Sequence, residues 1–202
     1  MSLFSSGRSG LLSSLKPVSK SRFGNVNFKA PLTVQAHELH RPFDLVLLSC
    51  KAYDLDAAID SFAAAVGPDT TILPLLNGMR HLDVLEERFG AAGVLGGQCL
   101  IAATLDERGN ILHLNDSHLL TFGERDGKCS PRIDAIAQEM RRANFESRAT
   151  SVILLEMWEK WVFLATLAGI TCLMRSAIRD IAADGGAHLA LDLLEECQSI
   201  AA

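Results

Sequence analysis

Acidic side chains are missing from the first 37 residues, where Arg8, Lys16, Lys20, Arg22 and Lys29 leave a charge of +5 against −10 for the rest of the 202-residue chain. The net charge of −5 gives no electrostatic reason to expect nucleic acid or an anionic membrane as partner. Cysteine is sparse and scattered: Cys50, Cys99, Cys129, Cys172 and Cys197 form no C-x-x-C pair, which argues against a disulfide framework or a thiolate zinc cluster. A reducing, cytoplasmic setting is the plain expectation. The longest apolar run, residues 161–174, falls short of the roughly 18 to 20 residues of a membrane span, and Glu156, Glu159 and Lys160 precede it. It reads as a buried core helix. Also absent is any G-x-G-x-x-G, the turn whose amides hold a dinucleotide pyrophosphate at a helix N-terminus.

Residues 1–22 are basic and rich in serine and glycine, as transit peptides are. Gly7, Gly10 and Pro17 oppose a stable amphipathic helix there, so a disordered leader is the favoured expectation. A short hairpin is expected over residues 23–28, where apolar and polar residues alternate around a turn signal. Residues 43–50 form a nearly continuous apolar run, the pattern of a strand covered on both faces of a parallel sheet. Asp54 is placed to cap a helix running to Ala65, and residues 71–75 predict a second strand. A helix over residues 79–89 ends at Gly90, where a left-handed cap is wanted. This alternation of strand and helix predicts a doubly wound α/β sheet. An antiparallel meander follows, with strands at 94–104, 111–115 and 119–123, the last two separated by Asn115-Asp116-Ser117. A helix is expected at 133–143 and everything from 151 onward reads as helical, with a long helix over 152–174 and another beginning at 189.

Several tempting patterns fail on spacing. His37-Glu38-Leu39-His40 lacks the four-residue separation of the helical zinc motif, and Gly7-Arg8-Ser9-Gly10 has no preceding strand to make a nucleophile elbow. His113 and His118 have no carboxylate at ligand spacing and read as structural. Three positions carry more. Lys51 follows the first buried strand at its carboxyl end, where open α/β sheets bind ligands, although a solvated loop lysine fits equally well. Asn77-Gly78 follows the next strand; asparagine offers a donor and an acceptor and glycine a sharp turn, although most Asn-Gly pairs are ordinary turns. Lys160, between Trp158 and Trp161, opens the apolar helix, where desolvation would lower its pKa and suit it to proton donation. Surface pairing with Glu156 is the plain alternative.

Leu48-Ser49-Cys50-Lys51-Ala52-Tyr53-Asp54-Leu55, Leu73-Pro74-Leu75-Leu76-Asn77-Gly78-Met79 and Met157-Trp158-Glu159-Lys160-Trp161-Val162-Phe163 resemble, in that order, landmark segments of ketopantoate reductases (2-dehydropantoate 2-reductases). The strand Gly96-Gly97-Gln98-Cys99-Leu100-Ile101-Ala102-Ala103-Thr104 also resembles that family's sheet extension. The resemblance covers about residues 23–202. It implies an incomplete Rossmann-type NADP-binding domain over 23–148, followed by the start of an all-helical substrate domain over 149–202. It further implies NADPH as cofactor and a small 2-keto acid as substrate, with 2-dehydropantoate first in line. In that scheme Lys160 is the catalytic proton donor and touches substrate, Asn77 lies near both nicotinamide and substrate, and Lys51 lies beside the cofactor. A metal is not implied, and a homodimer is left open.

The departures define the expectations further. The family begins with the glycine loop, so the first βαβ unit is expected to be missing here; its helical domain is expected to continue past Ala202. Leu164 and Ala168 stand where the family often carries asparagines, which leaves the keto acid open and admits another 2-keto acid. A non-catalytic remnant on the same scaffold, or a dehydrogenase whose loop is supplied differently, stays beside the reductase. The chain by itself is expected to be inactive and weakly stable, with exposed sheet edges.

Overall fold

Leu45-Val46-Leu47-Leu48 offers no polar face, so it is stable as a strand only where both sides are covered. The computed structural model describes Ser19–Ser21, Gly24–Val26 and residues 34–202. In chain order it contains β1 (Ser19–Ser21), β2 (Gly24–Val26), β3 (Leu45–Leu48), α1 (Leu55–Phe62), β4 (Thr71–Pro74) and α2 (Arg80–Phe89). There follow β5 (Gly96–Leu105), β6 (Ile111–Gly123), α3 (Pro131–Met140), β7 (Glu146–Ala149), α4 (Ile153–Met174), α5 (Ile178–Ala183) and α6 (Ala187–Ala201).

The chain divides into two compact units. The first takes in the described residues up to Leu76 together with Arg80–Ile153. Here β3 and β4 run parallel with Leu45 opposite Thr71 and Leu48 opposite Pro74. Val94 bridges Ile72 in parallel and leads into β5, which pairs antiparallel with β6. β6 in turn pairs in parallel with β7 and with β1, and β1 with β2 forms a hairpin. Leu45, Leu73, Leu95, Leu120 and Phe122 form one apolar layer under Ile133, Ile136 and Met140 of α3. α3 starts where Ser130 Oγ accepts the Ile133 N–H at 3.4 Å and Pro131 takes the first helical position. Glu124 fixes the approach to that helix by accepting from Ser130 Oγ at 2.5 Å and Arg132 Nε at 2.7 Å. α2 ends as its sequence predicts, with Gly90 at φ +82° and its N–H donating to Glu86 O at 2.8 Å.

The second unit consists of Asn77–Met79 and Leu154–Ala202. α4 is its longest element, α5 a short turn-like helix, and α6 begins two residues ahead of the position that periodicity suggests.

Several expectations change. β1 falls inside the stretch read as a leader, and the rest of that stretch lies outside the described residues. The hairpin's strands are Ser19–Ser21 and Gly24–Val26, displaced toward the N-terminus from residues 23–28. Asp54 stands at the start of α1 with no side-chain cap bond; a 3-10 turn over Ala52–Asp54 leads into the helix instead. The strands expected at 111–115 and 119–123 are one element. Asn115-Asp116-Ser117 does turn, with Ser117 N–H donating to Asn115 Oδ1 at 3.1 Å, but the ladder resumes as a bulge between Ala103–His113 and Ile101–His118. β7 has no counterpart in the sequence pattern, whereas α5 falls in the stretch expected to be helical. α4 is not buried throughout: Ile153, Met157, Val162 and Ile170 are buried, whereas Leu155, Phe163, Leu173 and Met174 are exposed.

Candidate active site

Parallel strands direct their carboxyl ends, and the loops that follow, toward one rim, where ligands bind in sheets of this kind. Lys51 follows β3 by way of Ser49 and Cys50 and is exposed. Its backbone is extended (φ −78°, ψ 153°), and its carbonyl accepts the Asp54 N–H at 2.9 Å, so the 3-10 turn fixes where the lysine leaves the chain. Beside it, burial pushes the Cys50 thiol up from its ordinary pKa, which keeps it protonated and disfavours it as a nucleophile.

Asn77 follows β4 by way of Leu75 and Leu76 and is exposed. Gly78 has φ +88°, a conformation that suits glycine and lets the chain turn directly into α2.

Lys160 lies on α4 and is half-buried. Glu156, one turn earlier, shares its face of the helix. At three-residue spacing Trp158 and Trp161 meet each other, with ring centroids 5.5 Å apart and planes at 77°. A largely apolar groove of about 430 Å³ between α4 and α6 is lined by Leu155, Trp158, Glu159, Val162, Phe163 and Leu194, among others, and Lys160 is not part of its lining. Leu164, one turn beyond the lysine, is half-buried and Ala168, two turns beyond, is exposed.

Asn77 and Lys160 thus belong to the same compact unit, and Lys51 to the other. Sequence reasoning passed over His81, in the first turn of α2. It is 4% exposed, its Nε2 is buried without a hydrogen-bond partner, and burial pushes its pKa down to about 4. Its position beside Leu82 and Leu85 on the apolar face of α2 was the available signal. His113 and His118 are tied into the β6 bulge, His113 Nε2 lying 2.9 Å from Ser117 O and His118 Nδ1 3.1 Å from Asp116 O. Among the described residues no three His, Cys, Asp or Glu side chains gather to hold a metal, and no helix is long and apolar enough to cross a membrane.

Residues 14–127 match the family model described as ketopantoate reductase PanE/ApbA. The chain is 36% identical to the uncharacterized oxidoreductase YkpB of Bacillus subtilis over 87% of its own length and 58% of that protein. It is 27% identical to a 2-dehydropantoate 2-reductase of Mesorhizobium japonicum over 78% of its length and 54% of the relative. The chain therefore spans a little over half the length of these curated relatives. Among solved structures, a 2-dehydropantoate 2-reductase from Geobacter metallireducens superposes with a TM-score of 0.84 at 23% identity, covering 98% of this chain and 66% of the other. A D-mandelate dehydrogenase solved with NADH and anilino(oxo)acetate gives 0.73 at 16% identity, over 99% and 72%. At such identities the structural likeness establishes the fold alone.

Proposed function

The chain belongs to the ketopantoate reductase PanE/ApbA family, and from that premise we propose that it carries the carbonyl-reducing half of an NADPH-dependent 2-keto-acid reductase. The observation that carries this reading is the grouping of Asn77 and Lys160 in one unit, with Asn77-Gly78 set between β4 and the N-terminus of α2. The proposed substrate is 2-dehydropantoate, reduced to pantoate as a step toward pantothenate. Leu164 and Ala168 supply no polar contact where the family often has asparagines, so another 2-keto acid is the second choice.

The residues present fit part of a bound NADPH. Lys51 suits a phosphate or another anionic part of it, and the positive-φ turn at Gly78 lets the backbone approach a flat ring closely. The sequence has no G-x-G-x-x-G to hold the pyrophosphate. When bound, the reduced nicotinamide supplies the hydride. Lys160 Nζ then stands as proton donor to the carbonyl oxygen, stabilising charge that develops only in the transition state. Asn77 orients the keto acid through its amide. Assembly as a homodimer belongs to the same reading; one structural neighbour, from Staphylococcus aureus, is described as a dimeric ketopantoate reductase. So does a reducing, cytoplasmic setting, which suits five free thiols.

A second reading is favoured by Leu164 and Ala168, which offer no polar group on α4: a non-catalytic protein on the reductase scaffold. The test joins a strand, glycine loop and helix of the dinucleotide-binding type to the N-terminus of this chain and follows loss of reduced nicotinamide with 2-dehydropantoate and other 2-keto acids. Turnover is expected, with Lys160→Ala lowering it by about 10²- to 10⁴-fold. Tight NADPH binding without turnover of any 2-keto acid would establish the non-catalytic reading instead.

A further inference from the structure

Val94 bridges Ile72 in parallel and the Leu95 N–H donates to Ile72 O at 3.0 Å, so the start of β5 runs beside β4 in the same direction. The two backbones stay close as far as Gly97, where a Cβ would lie 2.8 Å from Pro74 O. With Val94 opposite Ile72, Gln98 falls level with Leu76, the last residue of the sheet unit before Asn77. Gln98 therefore reaches the carboxyl-end rim that also carries Lys51, and both residues belong to the sheet unit.

Alternation decides where the glutamine side chain goes. From Gly96 to Cys99 each residue of β5 has a regular partner on β6, from Gly123 to Leu120. Leu95 and Cys99 pack into the layer under α3, and a side chain at Gly97 would run into Leu73 of that layer. Gln98 is turned to the opposite face, together with its cross-strand partner Thr121, which is 2% exposed. Gln98 is half-buried there, and the oxygen of its carboxamide is enclosed without a hydrogen-bond partner. Folded interiors pair nearly all such atoms, because an acceptor that is stripped of water and left unpaired loses its hydration with nothing in return.

We propose that Gln98 binds the carboxamide of the NADPH nicotinamide, a role that rests on the reductase reading and adds to it the residue that recognises the reactive end of the cofactor. An enclosed oxygen needs a donor. Phosphates, a substrate carboxylate and a ketone only accept, so none of them satisfies it. The nicotinamide carboxamide brings two N–H groups, and a primary amide is its own complement: Gln98 Oε1 accepts from the carboxamide nitrogen, and Gln98 Nε2 donates to its carbonyl. The close approach of Gly97 to Pro74 fixes the backbone from which this side chain leaves.

Chemical-shift titration of the full chain with NADPH and with its reduced 3-acetylpyridine analogue tests this. The acetyl group keeps the carbonyl and lacks the N–H donors. NADPH is expected to bind about 3- to 10-fold more tightly, the worth of one neutral hydrogen bond. Gln98→Met, of similar length, should bring the two affinities within about 2-fold of each other, while Gln98→Glu, which keeps an acceptor, should retain the preference. The preference is a ratio, so a general weakening of both compounds leaves it unchanged. Three results would overturn the proposal: equal affinities in the wild-type chain, a full preference in Gln98→Met, or binding of neither compound. A ribose hydroxyl as the true donor corresponds to the first, since both compounds carry it. The reductase reading is decided by turnover and stands or falls separately from this preference.

Discussion

Two apolar regions of this molecule are treated differently by their surroundings. In the sheet unit, Leu48, Phe62, Ile72, Leu73, Leu85, Leu95 and Phe122 are each less than 2% exposed. In the helical unit, α4 is no less apolar in sequence, yet Leu155, Phe163 and Leu173 stand more than half exposed. The difference is one of cover. β3, β4 and the ends of β5 and β6 nearest them are covered, whereas a 22-residue helix against one 15-residue and one six-residue helix has only part of its circumference buried. The far ends of β5 and β6 are likewise only partly covered, and Leu105 and Leu114 are exposed there. Stability is therefore expected to be concentrated in the sheet unit.

The largest expected effect follows from that. Phe122→Ala, in the layer under α3, removes a fully buried ring and should cost about 3–5 kcal/mol in denaturant unfolding followed by far-ultraviolet circular dichroism. Phe163→Ala on α4 should cost less than about 0.5 kcal/mol. Equal costs for the two would break the comparison.

Next comes a pH effect at the start of α2. His81 is buried and neutral, with a pKa pushed from an ordinary 6.5 to about 4. The unfolded chain takes up this proton more readily than the folded one, so stability rises with pH across that window. The contribution is complete above about pH 6.5 and is lost as the pH falls toward 4, for a total of about 3 kcal/mol at about 1.4 kcal/mol per unit. His81→Leu should flatten the dependence of Tm on pH between those values. An unchanged profile would mean that the imidazole is hydrated in solution. Glu124, which the Arg132 guanidinium holds below the usual carboxylate range, adds a second loss of stability at lower pH still, so the two are separable by variant.

A smaller effect probes the seam between β4 and β5. A side chain at Gly97 would meet Leu73 Cδ1 and the Pro74 carbonyl, and the carbonyl cannot rotate away without breaking the strand. Gly97→Ala should cost about 1–3 kcal/mol in the same unfolding measurement. A neutral result would show that β5 sits farther from β4 than the close approach at Gly97 requires.

These positions also show which parts of the molecule a sequence can reveal. β3, β4 and α2 are legible because their determinants are local: an apolar run between turn residues, or a glycine where a left-handed cap is needed. The ends of β3 and β4 likewise point to Lys51 and Asn77 without any tertiary knowledge. β7 is not legible, because Glu146-Ser147-Arg148-Ala149 has no apolar alternation and is a strand only by pairing with Leu119–Phe122 of β6. The continuity of β6 past Asn115-Asp116-Ser117 likewise depends on β5 to resume the ladder. At the candidate site, His81 escapes notice because the same residue on an exposed face would titrate normally. The contact between Trp158 and Trp161 was open to sequence reading too, since residues three apart meet on a helix surface.

The smallest expected effect bears hardest on the comparison. Leu173, near the end of α4, is 75% exposed and would ordinarily tolerate a charge. Leu173→Lys should shift stability by no more than about 0.5 kcal/mol, the range of surface substitutions that touch no buried group. Lysine has good helix propensity, and a cation in the last turn of a helix opposes the partial negative charge of its free carbonyls, so two minor terms even favour the change. A loss of more than about 1 kcal/mol could then arise only if other protein atoms cover this side of α4 in solution. Repeating the measurement over a range of protein concentrations would tell whether that cover comes from a second copy, since a loss that depends on concentration is linked to association and one that does not is internal to the chain.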